Sequence, residues 1–427
     1  MQDGETPGWF VTPFAAPLDV NWRQEGDEWL HHLWIALGEE VELSGHRMST
    51  EQASPEFPAP HLMFTPASTQ LKSQLRVVPL EGGLLVVISG AGNPETVGPD
   101  QTEPWRRAIE EASRRVGQRH ERFDWVAVIG LLAGMEVHHN ALSAEARVGP
   151  LRLYPAEHYV TEYTPGSQAS LFARSSHWWW PIIVEGEATG YNWPVAAAAA
   201  GRDVHRLAAL LSLAWGGCWT IRHAPGERTE ETRLEMPGHP WWDAPSEAPD
   251  EDQTGGFELQ PAPDWLSQAW DDLDADPIIA NALLVHHEGL VLQQEGHESF
   301  AMIAFVSSIE AIGAKLGRLR HCPKCHTVIG SADRFRSALA LVMPDEVERN
   351  ALAKLVYGRR STTAHAGRLH GTEADPGALT WGGSILSEDP AFQFKRHLYS
   401  TRKASRDLLL RILRDRVPPT ANESDSR

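Results

Sequence analysis

The chain has 427 residues, 42% of them hydrophobic and 22% charged, which is too apolar for a disordered chain and too long for one ordinary core. Its formal net charge of −19 excludes a generic nucleic-acid coat. Three cysteines, Cys218, Cys322 and Cys325, are too few for a disulfide framework and suit a reducing cytoplasm.

The first residues, Met1-Gln2-Asp3-Gly4-Glu5, show no basic segment followed by an apolar one, so no signal peptide is expected. The most apolar region, about 195–221, is interrupted by Arg202, Asp203, His205 and Arg206, and no membrane partner is expected. A cytoplasmic location follows.

In chain order, the apolar, β-branched runs Leu71 to Pro79 and Leu84 to Ser89 flank the turn signal Glu81-Gly82-Gly83 and predict strand, turn and strand. Pro104 to Gln118 predicts a helix with an acidic start and a basic finish. Phe123 to Leu132 and Trp180 to Glu185 read as buried strands. Asp203 to Trp215 reads as a helix with Val204, Leu207, Leu210, Leu211 and Ala214 on one face. Adjacent His138 and His139 would point to opposite faces of a strand and so make a poor shared metal site. The run Trp178-Trp179-Trp180 reads as a core or interface anchor before a base-stacking platform. No P-loop, dinucleotide fingerprint or nucleophile elbow is present.

A segment rich in Pro, Glu, Asp and Gly spans residues 224–263, and we place an acidic linker at 241–263 within it. Beyond it the pattern turns helical. Ile279, Leu283 and Leu290 share a face. Met302, Phe305, Val306, Ile309, Ile312 and Leu316 form a buried stripe. Asp333 to Met343 and Asp345 to Ala366 follow, the latter with Asp345 as its N-cap. A last helix carrying Leu398, Leu408, Leu409, Ile412 and Leu413 stops at Pro418. The fold class is therefore α+β: a mixed α/β region over 1–240, itself divisible into two domains, a helical bundle over 264–417, and a disordered tail over 418–427.

Charge divides along the chain. Residues 277–427 hold 20 Lys+Arg and 16 Asp+Glu, whereas the rest hold 18 and 41. The N-terminal region thus reads either as an acidic partner that restrains the bundle or as a solubilising surface.

The late helix carries Tyr357-Gly358-Arg359-Arg360-Ser361-Thr362-Thr363-Ala364-His365. Arg360 can grip phosphate oxygens in a fork, and an imidazole can serve as base or acid near neutral pH. Cleavage of RNA without a metal requires those groups, to activate the 2′-OH, protonate the 5′-oxygen and stabilise the pentavalent phosphate. Five residues of ideal helix leave Arg360 and His365 about 140° apart, so Arg360 must reach around or the helix must end near Gly367. Ser361, four residues before His365, is better aligned with it. The same Arg-x4-His spacing occurs at Arg115 and His120, where it reads as a charged surface. Glu310 lies in the apolar stripe of an earlier helix, where it either pairs with Arg360, its natural partner, or faces solvent at the edge of the stripe.

These features, with the helix Phe305-Val306-Ser307-Ser308-Ile309-Glu310-Ala311-Ile312 and the insert Cys322-Pro323-Lys324-Cys325 after it, make residues 264–417 resemble the HEPN superfamily, and within it the Apea-like branch. The resemblance implies a symmetric homodimer that brings two Arg360–His365 pairs to one cleft. It implies a metal-independent endoribonuclease acting on tRNA or other structured RNA, in bacterial defence against phage. It also implies a phage-derived trigger at the N-terminal region. The rival reading is a non-catalytic module for dimerisation or ligand binding, with Arg360 and His365 structural.

His321-Cys322-Pro323-Lys324-Cys325-His326 has the two-residue spacing of a zinc knuckle but is half a site. Its completing ligands would come from His321, His326, His286 or His287; a redox pair or two unbound thiols are the alternatives. No cofactor is needed for catalysis. If the insert holds structural zinc, elemental analysis of tag-free protein will show zinc, lowered in Cys322→Ser. Metal-free protein with both thiols freely reactive would contradict it.

Overall fold

The computed structural model describes residues 14–40, 47–51, 60–66, 73–80, 83–90, 98–118, 120–132, 139–155, 160–162, 177–179, 182–228, 257–316, 320–321, 328–329, 331–374 and 390–417. The chain forms two compact units, Met1–Glu121 and Arg122–Arg427.

The first unit contains β1 (Phe14–Leu18), α1 (Trp22–Glu40), β2 (Arg47–Glu51), β3 (His61–Thr65), β4 (Ser73–Leu80), β5 (Gly83–Gly90) and α2 (Pro99–Arg115). Its antiparallel sheet runs β1-β5-β4-β3-β2. The expected strand–turn–strand is the β4–β5 pair, in register from Ser73 opposite Gly90 to Leu80 opposite Gly83. Alternate residues Leu75 and Val77, and Leu84, Val86 and Ile88, are buried in one core with Trp29, Leu33 and Leu37 of α1 and Trp105 and Ile109 of α2. The two indoles meet hydroxyls: Trp29 Nε1 donates to Ser113 Oγ at 3.0 Å and Trp105 Nε1 to Ser73 Oγ at 2.8 Å.

The second unit begins with β6 (Glu121–Leu132), β7 (His139–Leu142), β8 (Ala146–Val148), β9 (Leu151–Pro155), β10 (Val160–Glu162), β11 (His177–Trp179), β12 (Ile182–Gly190), α3 (Trp193–Trp215), β13 (Cys218–Glu227) and β14 (Phe257–Gln260). Five of these strands form a sheet in the order β13-β6-β12-β9-β8. β14 pairs in parallel with β7. Helix α3 starts ten residues before the expected Asp203. Asn192 caps it by accepting from Val195 N at 3.0 Å, and Pro194 sits in its first turn. The alanines that follow favour helix without showing a period.

Among the described residues, six α-helices then form the bundle: α4 (Trp265–Ala275), α5 (Pro277–Gln294), α6 (Glu298–Leu316), α7 (Ser331–Ala340), α8 (Glu346–Ala366) and α9 (Pro390–Leu413). The α+β class and the helical C-terminal region are as expected; α4 was not anticipated. Asp345 caps α8 as expected, accepting from Val347 N at 2.8 Å and Glu348 N at 3.1 Å. Helix α6 is long and apolar enough to cross a bilayer, but Met302, Phe305, Val306, Ile309 and Ile312 bury it in the bundle. Close approach is built into its neighbours. A Cβ on Gly289 would meet the Phe305 ring at 2.6 Å, and one on Gly313 would strike the Arg334 carbonyl.

One hydrophobic core runs from Trp125 and Leu153 of the sheet, through Leu207 and Leu211 of α3, to Phe305 and Leu408 of the bundle. The expected linker at 241–263 lies largely outside the described residues. The described parts on either side of it share that core, and the division into units falls after Glu121. Trp180, His138, Cys322, Cys325, His326 and the tail at 418–427 also lie outside the described residues. The segments flanking 322–327 pair with each other as β15 (Arg320–His321) and β16 (Val328–Ile329).

Two buried histidines join sheet, α3 and bundle. His287 Nε2 donates to the Trp219 carbonyl at 2.6 Å, which leaves Nδ1 to accept from His205 at 3.2 Å. His286 Nδ1 meets Ser405 Oγ at 2.9 Å, which donates to Ser308 Oγ at 3.1 Å, which in turn donates to the Ala282 carbonyl at 2.8 Å. Both ring nitrogens of His287 are thus engaged, whereas His286 Nε2 is enclosed without a hydrogen-bond partner; neither ring belongs to a metal-ligating group among the described residues.

Burial, and then the neighbouring His287, push His286 down to about 3; burial pushes His287 down to about 4 against its hydrogen bond to the Trp219 carbonyl. Both folded imidazoles are therefore neutral where unfolded ones, titrating near pH ~6.5, take up protons. Their stability contribution is present above that pH and is lost as pH falls toward the folded values, at about 1.4 kcal/mol per pH unit per histidine. Thermal melts between pH 6.5 and 4.5 should fall less steeply for His287→Gln or His286→Gln than for the natural chain. Parallel slopes would contradict the linkage.

Candidate active site

The site forms where α8 ends. Leu352, Val356 and Thr363 are the buried stripe of that helix. Arg360 and Arg359 leave it on opposite flanks.

On the first flank Arg360 faces α6. Its Nη2 lies 3.6 Å from Glu310 Oε2, and its guanidinium carbon lies 5.7 Å from the centre of the Tyr357 ring. Tyr357 donates its hydroxyl to Glu310 Oε1. The expected Glu310–Arg360 pairing is thus present, and Tyr357 is its third member. Arg360 is 27% exposed and Glu310 18%; Arg360 Nε is enclosed without a hydrogen-bond partner. The groove between α7 and α8, lined by Phe335, Asn350, Ala353 and Lys354, reaches Tyr357 and encloses about 590 Å³.

His365 lies in the last turn of α8, exposed and without a hydrogen bond or ion pair to any described residue. The helix ends just past it, because Gly367 adopts the left-handed conformation at φ 63° and its N–H caps Thr363 O at 3.1 Å. Helix α8 does end at Gly367, but past His365, so Arg360 and His365 both lie within it about 140° apart and no hydrogen bond or other contact joins them. Ser361 is half-buried on the turn between them.

On the second flank Arg359 faces α9. Its Nη1 donates to His397 Nδ1 at 2.8 Å, and its guanidinium carbon sits 5.3 Å from the Phe394 ring centre. Thr362 Oγ1 donates to the Arg359 carbonyl at 2.9 Å and lies 3.2 Å from His370 Nε2. His370 stacks on Phe394, with ring centres 5.5 Å apart. Burial first, and Arg359 second, push both His370 and His397 below the usual imidazole range; burial also lowers Arg359. Arg359 lies six residues before His365, so the helix offers two arginines at comparable reach of it. The sequence reading missed this flank, since His370 and His397 join it only through tertiary packing.

The other Arg-x4-His pair is a charged surface, as expected. Arg115 binds Glu111 at 2.6 Å and Glu39 at 3.0 Å, and His120 sits 3.7 Å from Glu28. Among the described residues no group of three or more His, Cys, Asp or Glu could hold a metal. Comparison with protein-family models, curated proteins and solved structures finds no match.

Removing the Glu310 charge should release Arg360. A double-mutant cycle of Glu310→Gln with Arg360→Gln, read by urea denaturation, should give a coupling of about 1 kcal/mol. The cycle of Glu310→Gln with Arg359→Gln should be additive within ~0.3 kcal/mol. Equal couplings would contradict the division into two flanks.

Proposed function

We propose that the chain is an HEPN-type endoribonuclease of the Apea-like kind, cleaving RNA, with tRNA or other structured loops as substrate, in response to phage. One observation carries the reading. An arginine oriented by Glu310 and Tyr357 lies a turn and a half before an exposed histidine without a partner among the described residues, at the capped end of the same helix. His365 would take the proton of the 2′-OH as that oxygen attacks phosphorus. The 5′-oxygen leaves with a proton from a second acid, giving 2′,3′-cyclic phosphate and 5′-hydroxyl ends. Arg360 would bear on the charge of the pentavalent phosphate. One protomer supplies one imidazole, so a homodimer pairing two α8 ends is proposed to supply the second.

The acidic residues upstream of the bundle are proposed to restrain the nuclease until a trigger binds. Since the sheet and bundle share a core, any such restraint is separable only at the Glu121–Arg122 junction.

A second reading has its own support. Arg360 is already held by Glu310 and Tyr357, as a purely structural arginine would be. The bundle is then a non-catalytic dimerisation or ligand-binding module.

Purified full-length protein incubated with total RNA in EDTA separates the two. The nuclease reading expects cleavage that survives chelation, yields cyclic phosphate ends and falls at least about a hundredfold in His365→Ala, with an unchanged melting temperature. Cleavage lost with chelator and retained in His365→Ala would sink it; no cleavage by either protein would favour the module.

A further inference from the structure

Arg359 is a half-buried cation with no anion of its own. No carboxylate among the described residues forms an ion pair with it, whereas Arg360, Arg206 and Arg115 each have one. Glu373, the carboxylate felt by His370, and Glu298 lie against other groups. Glu373 accepts from Ser299 N at 3.0 Å and lies 3.8 Å from His297, and Glu298 lies 3.5 Å from Lys395. Arg359 instead has a neutral imidazole and the face of Phe394. A guanidinium removed from water without a counter-charge is costly unless something supplies that charge.

The hydrogen bonds fix what the cluster can offer. Arg359 has only protons to give, so His397 Nδ1 is the acceptor and the neutral ring carries its proton on Nε2. Thr362 spends its hydroxyl proton on the Arg359 carbonyl, and the His370 N–H is taken up on this side by the Thr362 oxygen and that same carbonyl. The remaining Arg359 nitrogens bond to no described residue and, unlike Arg360 Nε, are not enclosed. Free guanidinium protons and an imidazole N–H are the donors a phosphate oxygen takes, and the guanidinium fork matches phosphate geometry.

We propose that Arg359, His397 and His370 form an anion site that holds a backbone phosphate of RNA flanking the phosphate at Arg360 and His365. The anion site stands on the cluster's own geometry; its assignment to RNA rests on the nuclease reading. A bound phosphate supplies the charge Arg359 lacks and favours the protonated form of both imidazoles; at His397 the new proton enters at Nδ1 and turns the Arg359 N–H from that nitrogen to the phosphate. His370 feels Arg359 and Arg368 against Glu373, and His397 feels Arg359 and Arg396, so cationic neighbours outnumber the carboxylate at both rings.

The test uses the full chain and two probes. In the first, inorganic phosphate is added to protein with ¹⁵N-labelled histidine, the His370 and His397 signals being assigned with His→Gln variants. Both titration midpoints should rise, by roughly half a unit or more, relative to chloride at equal ionic strength. Unmoved midpoints, or equal movement with chloride, overturn the site; an equal shift with acetate overturns its selectivity for phosphate and points to a carboxylate partner.

In the second, a single-stranded RNA is bound to the His365→Ala protein and followed by fluorescence anisotropy. Adding Arg359→Gln should weaken binding roughly tenfold or more and lower the salt slope by about one, with Arg359→Lys between. A lower melting temperature with an unchanged salt slope would make Arg359 merely structural and overturn the proposal. RNA bound equally well by the double variant, and cleaved equally well by Arg359→Gln with His365 intact, overturns the site and leaves the nuclease reading standing. A phosphate response with no RNA binding does the reverse.

Discussion

Neighbouring residues on a helix point about 100° apart, and this constraint shapes the whole α8 end. Because Leu352, Val356 and Thr363 must face the core, Arg359 and Arg360 are forced to opposite flanks of the buried stripe. One arginine meets the carboxylate of α6 and the other meets the imidazole of α9. The two guanidinium groups are therefore electrostatically unlike although they are adjacent in sequence. Arg360 is oriented by Glu310, whereas Arg359 has no carboxylate partner among the described residues. His365, one turn further on, belongs to neither pairing and is left to solvent by the Gly367 cap.

That arrangement needs α6 at the centre of the bundle. Its neighbours reach it closely because Gly289 of α5 accepts the Phe305 ring and Gly313 of α6 accepts the Arg334 backbone of α7. Neither contact leaves room for a methyl group, and a backbone carbonyl cannot move aside as a flexible side chain can. Glu310 thereby lies where Tyr357 and Arg360 can both reach it. The same packing ties the bundle to α3 and the sheet through His205, His287 and the Trp219 carbonyl. The position of the α8 end thus depends on a core that begins at Trp125, far upstream of the bundle.

Much of this was legible in the sequence. The stripe from Met302 to Leu316, the Asp345 cap and the Glu310–Arg360 pairing followed from period, capping chemistry and the cost of a lone buried carboxylate. Helix α4 was not legible, because its buried Leu266, Ala269, Trp270 and Leu273 directly follow an acidic Pro-rich segment. The alanine run before Asp203 hid the start of α3, since a helix of small residues carries no apolar period. Composition marked the acidic segment as a boundary, but it cannot reveal that the sheet and bundle on either side share one core. The Arg359 cluster was out of reach for a different reason. Its histidines come from the turn after α8 and from α9, and no local pattern links Arg359, His370 and His397.

The central claim is that the α8 end binds the RNA backbone through Arg360 and His365. Its most direct test is a crystal structure of the full chain with RNA that is 2′-O-methylated throughout, which keeps every phosphate and removes the attacking hydroxyl. The account predicts one phosphate within hydrogen-bond reach of His365 and close to Arg360, and a neighbouring phosphate against Arg359 and His397. RNA bound elsewhere, with the α8 end bare in every protomer, would contradict it.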